Sequence, residues 1–368
     1  MGIIRLLLAL SVVAAHLALV RSGISFFGTG VPAVESFFIL SGFYMALVLR
    51  TKYRTQTRRF YLARLIRLIP IYWVLLFSSL VFSLAVLLVT HRAIGFLYSL
   101  QKPWPHGWLY PAAAFANVFI VGSDLLALYG NRSGLGEEHF LALPALWSLG
   151  TEMCFYALAP WVLRRGAAAI LSAFLLFFGL RLVLWLPTHG GWTPWNYYFT
   201  PSAFNLFFLG ALAYLAYERL PTSPRWQQGT RLVGWLAFGT VAANILFYRP
   251  WALFGLQDYR YYLLFAASLP FIFTVFRASA FDRAVGEYSY PLYLAHALVF
   301  SFTAPLRHAF TRHGIIVTGL AISFAACWVL IRIDGRISPW LHAALDQRGL
   351  TAPSPGASGS AGSARRHP

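Results

Sequence analysis

Residues 69 to 90 read IPIYWVLLFSSLVFSLAVLLVT, an apolar run that contains no charged side chain. A helix of this length crosses the roughly 30 Å hydrocarbon core of a bilayer. Comparable runs recur along the whole sequence, and they lack the period-2 alternation of a membrane barrel strand. Because only helices and closed barrels satisfy backbone polar groups in lipid, we predict an all-α integral membrane protein, a polytopic bundle.

The composition agrees with a membrane protein and excludes a water-soluble fold. Of 368 residues, 59% are hydrophobic and only 11% are charged, whereas a soluble domain carries about a quarter charged residues. Cys154 and Cys327 are the only cysteines, and both lie in apolar runs. The sequence therefore predicts neither a disulfide framework nor a metal site.

The positive residues predict the topology. The net charge is +18, and most basic residues lie in short segments between apolar runs, as expected of cytoplasmic loops. The weakest apolar run, residues 110 to 129, contains Asn117 and Asp124. If it does not span, most basic residues fall on the cytoplasmic side, whereas a spanning run would divide them almost evenly. We therefore predict about ten transmembrane helices (10 or 11), with both termini in the cytoplasm.

The chain divides into two parts of different composition. Residues 1 to 335 form the predicted membrane bundle. Residues 336 to 368 end in TAPSPGASGSAGSARRHP, which is rich in Ser, Gly, Ala and Pro. Such a sequence buries too little apolar surface to fold, so a disordered cytoplasmic tail is expected.

Arg5 and His16 are ionisable residues within the first apolar run. Eleven positions on a helix place them within about 20° of one face and about 16 Å apart along the axis. Ionisable groups in a membrane usually face the bundle interior or a polar cavity. An Arg5 side chain that reaches the membrane surface and a structural hydrogen bond of His16 remain equally good explanations.

The segment between Arg50 and Arg67 is strongly basic and has no acidic residue. Arg64 and Arg67 lie three positions apart, hence next to each other on a helix that enters the membrane near Pro70. Guanidinium groups bind phosphates through charge-assisted, bidentate hydrogen bonds. The alternative is an ordinary cytoplasmic segment attracted to anionic lipid.

Further polar residues lie in otherwise apolar surroundings. Glu35 and Glu152 each need a partner inside the bundle, which Arg181 or His16 would supply. A purely structural ion pair explains them as well. His296 follows Tyr293 by three positions, and a buried structural hydrogen bond is the favoured interpretation for it.

Several motifs occur in a characteristic order along the chain. They are Arg5 and His16 in the first helix, FFILSGF (Phe37 to Phe43), Arg64 to Arg67 followed by Pro70, WSLGTEMCFY (Trp147 to Tyr156), and YLAH (Tyr293 to His296). In this set the sequence resembles the acyltransferase 3 family of bacterial membrane proteins, which O-acylate lipopolysaccharide, exopolysaccharide, Nod factors and some antibiotics. The resemblance covers residues 3 to about 333, and it is to the stand-alone form without an esterase-like domain.

The resemblance implies an O-acyltransferase of the bacterial inner membrane. Its donor would be an acyl-CoA, by default acetyl-CoA, acting as substrate rather than as a bound cofactor. The acceptor would be a hydroxyl of a glycan or glycolipid. Neither nucleic acid nor a metal is implied as a partner.

The resemblance also suggests roles for individual residues. His16 would be the general base, Arg5 would contact the donor, and Glu152 would orient His16, balance its charge or bind the acceptor. The donor phosphates would bind Arg59, Arg64 and Arg67. The remaining expected lining residues are Glu35, Trp147, Ser148, Tyr156, Arg181, Tyr293 and His296.

Two alternatives to this mechanism stay open at the level of sequence. A secondary transporter would also place Glu, Arg and His in the membrane, although neither inverted repeats nor paired broken helices are evident. Covalent transfer through a serine such as Ser41 or Ser148 is a second route. Transfer of an acyl group from acyl-CoA separates the enzyme from the transporter.

Overall fold

The computed structural model describes residues 1–16, 30–102, 104–136, 139–189, 191, 193–221, 223–247, 258–303 and 312–347. All regular elements within these ranges are helices, which confirms the all-α class. The first half contains α1 (Gly2–His16), α2 (Gly30–Arg50), α3 (Thr57–Thr90), α4 (Gly95–Leu100), α5 (Leu109–Phe119), α6 (Ser123–Arg132), α7 (Leu146–Leu163) and α8 (Ala167–Trp185). The second half contains α9 (Pro194–Tyr197), α10 (Thr200–Glu218), α11 (Pro224–Phe247), α12 (Tyr259–Phe276), α13 (Ala280–Glu287), α14 (Ser289–Thr303) and α15 (Arg312–Gln347).

Five of the described helices are long and apolar enough to cross a membrane. They are α2, α3, α8 with the short turn that follows it, α11 and α12. The protein is therefore a multi-pass membrane protein. The total of about ten spans and the cytoplasmic position of both termini remain predictions.

The doubtful run from 110 to 129 is broken into α5 and α6. The break lies at Ile120 and Gly122, both of which have a positive φ, and α5 rises only about 16 Å. Asn117 joins α5 to the segment before α7, because its Nδ2 donates to the carbonyl of Phe140 at 2.9 Å and its Oδ1 accepts from the amide of Ala142 at 2.7 Å. The run is therefore not a single spanning helix. Its second polar residue, Asp124, accepts a hydrogen bond from the hydroxyl of Thr200 on α10 at 2.5 Å.

Helices α2 and α10 form the centre of the bundle and approach each other through glycine. A Cβ on Gly42 would overlap the carbonyl oxygen of Phe207, and one on Gly210 would overlap that of Ile39. Small residues allow this close backbone approach in membrane proteins. The glycine of the FFILSGF segment is thus required by packing, which fixes the depth and rotation of α2.

The basic segment before Pro70 is more helical than its expected role as a loop suggests. Helix α3 begins at Thr57, so that Arg59, Arg64 and Arg67 all lie on it. Arg164, just beyond α7, donates to the Thr57 hydroxyl and to the Tyr53 carbonyl, both at 2.6 Å. These bonds hold the start of α3 against the end of α7.

The carboxylate of Asp282 on α13 binds the start of α1. Asp282 accepts hydrogen bonds from the amides of Gly2 at 2.7 Å and Ile3 at 3.0 Å, and from the Met1 ammonium at 2.6 Å. The first amides of a helix have no partner within it, and a carboxylate there also suits the helix dipole. This contact sets the depth of α1, and with it the positions of Arg5 and His16.

The last helix continues beyond residue 335, where the composition suggested that the membrane bundle ends. Helix α15 continues to Gln347, so residues 336 to 347 are helical. The remainder of the predicted tail lies outside the described residues.

Candidate active site

A cavity of about 690 Å³ opens where α1, α2, α7, α9 and α14 meet. A volume of this size accommodates a small-molecule substrate. The described residues that line it are Val12, Ala15, His16, Gly30, Val31, Val34, Pro144, Ala145, Trp147, Gly191, Tyr197, Tyr198, Tyr293 and His296. Four residues expected from the sequence to act in the site, His16, Trp147, Tyr293 and His296, are thus brought to one place.

Two histidines are neighbours in the wall of this cavity. The ring centroids of His16 and His296 lie 4.8 Å apart. The Nδ1 atom of His16 lies 2.9 Å from the carbonyl oxygen of Val12, and that of His296 bonds to the carbonyl of Tyr293. Because a carbonyl only accepts, Nδ1 carries the hydrogen in each neutral ring, and the basic lone pair is on Nε2. His296 makes the expected structural bond and also lines the cavity.

Ser148 on α7 is hydrogen-bonded to Tyr293, which lines the cavity. Its hydroxyl donates to the carbonyl of Ala145 at 2.8 Å, so the Tyr293 hydroxyl is the donor in the 2.6 Å bond between Tyr293 and Ser148. The Ser148 proton is therefore held by a backbone carbonyl and not by a base. This arrangement does not activate Ser148 as a nucleophile.

Glu152 lies one turn further along α7 and is bonded to two hydroxyls. Its Oε1 accepts from Ser41 at 2.6 Å and from Tyr156. Among the described residues it makes no hydrogen bond with His16, so the expectation that it orients His16 finds no direct contact. Its neighbours instead belong to the part of the bundle where Arg5 and Arg64 lie.

Arg5 and Arg64 lie near this carboxylate, and Arg67 lies near both of them. We call these three residues the arginine cluster. Arg5 interacts electrostatically with Arg67 and Glu152, and Arg64 interacts with Arg67 and Glu152. The Nε atom of Arg64 is buried and has no hydrogen-bond partner in the described part of the chain. The cluster has more positive charge than Glu152 offsets, which suits an anionic ligand.

Arg59 differs from the cluster. It lies in the first turn of α3, where its Nη1 donates to the side chain of Gln56 at 3.0 Å. No contact with Arg5, Arg64 or Arg67 accompanies that bond in the described structure. Of the three arginines expected to bind the donor, the structure places only Arg64 and Arg67 with Arg5.

Two helix faces join the cavity to the arginine cluster. Ser148, Glu152 and Tyr156 recur at every fourth position of α7, which spans about 12 Å along its axis. On α1, Arg5 and His16 are separated by about 16 Å on nearly one face. We call the α7 series the polar column. It places a hydrogen-bonded hydroxyl at the cavity and a carboxylate beside the cluster.

Glu35 and Arg181 form a buried ion pair instead of lining the cavity. Tyr262 donates to the second carboxylate oxygen of Glu35. The guanidinium of Arg181 lies over the rings of Trp185 and Tyr259, with its centre 4.9 and 5.7 Å from their centroids. Both charged side chains are nearly inaccessible. The structure thus supplies Arg181 as the partner of Glu35, and it adds Tyr262, which the sequence did not indicate.

In this helical membrane bundle, buried polar side chains lie between the arginine cluster and the histidine-lined cavity. These are parts expected of an enzyme that acts on an anionic substrate. Comparison with protein families identifies which enzyme class this is. The family model described as an acyltransferase domain, acyltransferase 3, matches residues 1–332, which include every site residue named above. The chain therefore belongs to the acyltransferase 3 family, as the motifs indicated, and is a membrane acyltransferase that uses an acyl donor and an acceptor.

Two other comparisons gave no match. No curated protein matches the chain, and no solved structure does.

Proposed function

We propose that this protein transfers an acetyl group from acetyl-CoA to a hydroxyl of a glycan or glycolipid in the bacterial inner membrane, with His16 as general base. The observation that carries the proposal is the joining of the His16 cavity to the arginine cluster by the polar column of α7. A site with two ends suits a long donor whose charged part and reacting part are far apart.

The donor binds at the arginine end of the bundle. Its phosphates pair with Arg5, Arg64 and Arg67, where the buried Nε of Arg64 has no hydrogen-bond partner among the described residues and positive charge is in excess. This end faces the cytoplasm, where acyl-CoA occurs and where basic segments are expected. The extended arm of the donor follows the face of α1 from Arg5 to His16, a distance of about 16 Å.

The reaction takes place in the cavity. Nε2 of His16 removes the proton from the acceptor hydroxyl while the hydroxyl oxygen attacks the carbonyl carbon of the thioester. The carbon–sulfur bond breaks, the ester remains on the acceptor, and the imidazolium returns its proton to the departing thiolate. The bond between Nδ1 and the Val12 carbonyl places the basic lone pair of the neutral ring on Nε2.

Glu152 acts at the donor end in this scheme. It holds Tyr156 and Ser41 in place and offsets part of the repulsion among the arginines. The phosphates of the donor neutralise the rest. Transfer is direct in this scheme. The proton of Ser148 is held by a backbone carbonyl, and Ser41 is bonded to Glu152 at the donor end and is not among the described residues that line the cavity.

The test is transfer of radiolabelled acetyl from acetyl-CoA to envelope glycan in membranes that contain equal amounts of wild type or variant. His16→Ala should lose roughly 100-fold or more of the rate. His342→Ala is the matched control, because His342 is exposed on α15. Labelling by His16→Ala at the wild-type rate would exclude His16 as the base, and an absence of labelling by wild type would overturn the acetyltransferase itself.

A further inference from the structure

The cavity has two chemically different sides. Helices α1 and α2 contribute only small or aliphatic side chains besides His16, and we call this the aliphatic side: Val12, Ala15, Gly30, Val31 and Val34. Three aromatic residues from the first turn of α7 and the end of α9 also line the cavity, and we call them the aromatic side: Trp147, Tyr197 and Tyr198. The other described lining residues are His16 on α1, Tyr293 and His296 on α14, and Pro144, Ala145 and Gly191.

We propose that the aliphatic side binds the alkyl chain of the acyl group, with room for chains longer than acetyl, while the aromatic side binds the sugar ring of the acceptor. This inference rests on the proposed function and assigns a substrate to each side of the same cavity. Val31 is the residue we assign to acyl-chain selection.

The path of the donor leads to the aliphatic side. Arg5, Val12 and His16 share nearly one face of α1, because seven and four further positions return to within about 40° of the same direction. A donor that is bound by Arg5 and presents its thioester to His16 therefore passes Val12. The acyl group then lies in the part of the cavity that Val12 of α1 and Val31 and Val34 of α2 line.

The chemistry of this side fits an alkyl chain. Val12 and Val34 are almost fully buried, and Val31 is half-buried at the cavity surface. An alkyl chain gains free energy in proportion to the apolar surface it removes from water, and a sugar ring with its hydroxyls does not. No side chain of the aliphatic side offers a hydrogen bond to a sugar.

The aromatic side fits a sugar. The ring of Trp147 lies 4.6 Å from that of Tyr197 and 4.8 Å from that of Tyr198. Trp147 and Tyr198 are almost fully buried and support Tyr197, which is half-buried and offers a rigid, flat apolar face to the C–H face of a sugar. The volume of about 690 Å³ exceeds what an acetyl group alone would need and allows both substrates to bind together.

The experiment measures chain-length choice as a ratio within one sample. Membranes that contain the full-length protein receive equal concentrations of ¹⁴C-acetyl-CoA and ³H-butyryl-CoA, and both labels are counted in the envelope glycan. The ratio does not depend on the amount of protein or on the identity of the acceptor. We expect wild type to transfer both groups.

Two variants change the aliphatic side in different ways. Val31→Thr keeps the volume of the aliphatic side but makes its surface polar, and Val31→Phe fills its space. Each variant should therefore lower the butyryl-to-acetyl ratio by roughly fivefold to tenfold. Tyr198→Leu should lower both labels together and leave their ratio unchanged. A variant that does not accumulate, as judged by immunoblot, leaves the decision to the other Val31 variant.

The outcomes separate the two proposals. If wild type transfers neither label, the proposed function fails. If wild type transfers acetyl but no butyryl, if the Val31 variants keep the wild-type ratio, or if Tyr198→Leu shifts the ratio as strongly as they do, the acyltransferase stands and the assignment of the two sides is overturned.

Discussion

His16 on α1 and His296 on α14 are adjacent in the cavity wall, with ring centroids 4.8 Å apart and ring planes inclined by 52°. Each ring is held through Nδ1 by a carbonyl of its own helix. His16 is exposed to the cavity, whereas His296 is 2% exposed. The two rings therefore have different access to a substrate, and this difference predicts unequal effects of their removal.

Replacing His296 by Ala should reduce acetyl transfer less than replacing His16. His296 supports the ring of His16 and forms part of the cavity wall, but the proposed proton transfer uses Nε2 of His16. We expect a loss of about tenfold for His296→Ala against roughly 100-fold or more for His16→Ala. Initial rates at saturating acetyl-CoA, normalised to protein content, measure both. A larger loss in His296→Ala would make His296 the base.

Replacing Arg64 by Gln should weaken donor binding without a comparable loss of maximal rate. Each charge-assisted hydrogen bond to a phosphate contributes about 1.5–3 kcal/mol, so KM for acetyl-CoA should rise roughly 10-fold to 100-fold. The control is Arg58→Gln, which removes the same charge from an exposed position on α3 and should change KM little. Unchanged KM in Arg64→Gln would remove Arg64 from the donor site.

The sequence predicted the residues at the two ends of the site better than the hydrogen bonds that join the helices between those ends. Arg5 and His16 share a helix, so the helical period alone gives their relative position. The bond between Ser41 and Glu152 joins α2 to α7, and its formation depends on how Gly42 and Gly210 set the rotation of α2. Periodicity within one helix contains no such information.

The choice between alternatives for buried charges also depended on packing. Sequence analysis left two possible partners for Glu35, Arg181 and His16, and in the structure Glu35 bonds to Arg181 and Tyr262. A tyrosine in an apolar helix is commonly an interface residue, so Tyr262 carried no signal of this role. Only the tertiary arrangement of α2, α8 and α12 brings these side chains together.

The ion pair of Glu35 and Arg181 should be structural. Removing one partner leaves a buried charge uncompensated, which costs about 3–5 kcal/mol of the free energy of unfolding. Arg181→Met or Glu35→Gln alone should therefore lower thermal stability in detergent more than the double variant does. The transfer rate per folded molecule should stay near that of wild type. A stable single variant with a strongly raised KM would instead place Glu35 or Arg181 in a substrate site.

Gly42→Ala should destabilise the bundle strongly, because the added methyl group would overlap the Phe207 carbonyl. Gly179 in α8 is the matched control, since no atom lies within 4 Å of a Cβ there. Gly179→Ala should be neutral or stabilising by about 0.5–1 kcal/mol, as expected for alanine in a helix. Thermal unfolding of purified protein in detergent compares the two. Equal stability of both variants would contradict the close contact of α2 and α10.

Asp282 should make the stability of the protein sensitive to acid. Burial raises the pKa of this carboxyl, but hydrogen bonds from the Met1 ammonium and the amides of Gly2 and Ile3 outweigh burial, so its pKa lies below the ordinary value of 3.8. A lowered pKa contributes stability that is present above about pH 4 and is lost as pH falls through the folded-state pKa. Asp282→Asn should lose this part of the acid dependence in thermal unfolding from pH 3 to pH 7. An unchanged acid dependence in Asp282→Asn would assign it to other groups.

The central claim is that the donor is held at the arginine cluster while the chemistry occurs at His16. Inside-out membrane vesicles supplied with radiolabelled acetyl-CoA test it through steady-state kinetics of glycan labelling by wild type, Arg64→Gln and His16→Ala. We predict that Arg64→Gln raises KM for acetyl-CoA and keeps most of kcat, whereas His16→Ala loses kcat and keeps KM. If Arg64→Gln instead lowers kcat with unchanged KM, or His16→Ala turns over at the wild-type rate, the division of the site into these two ends is contradicted.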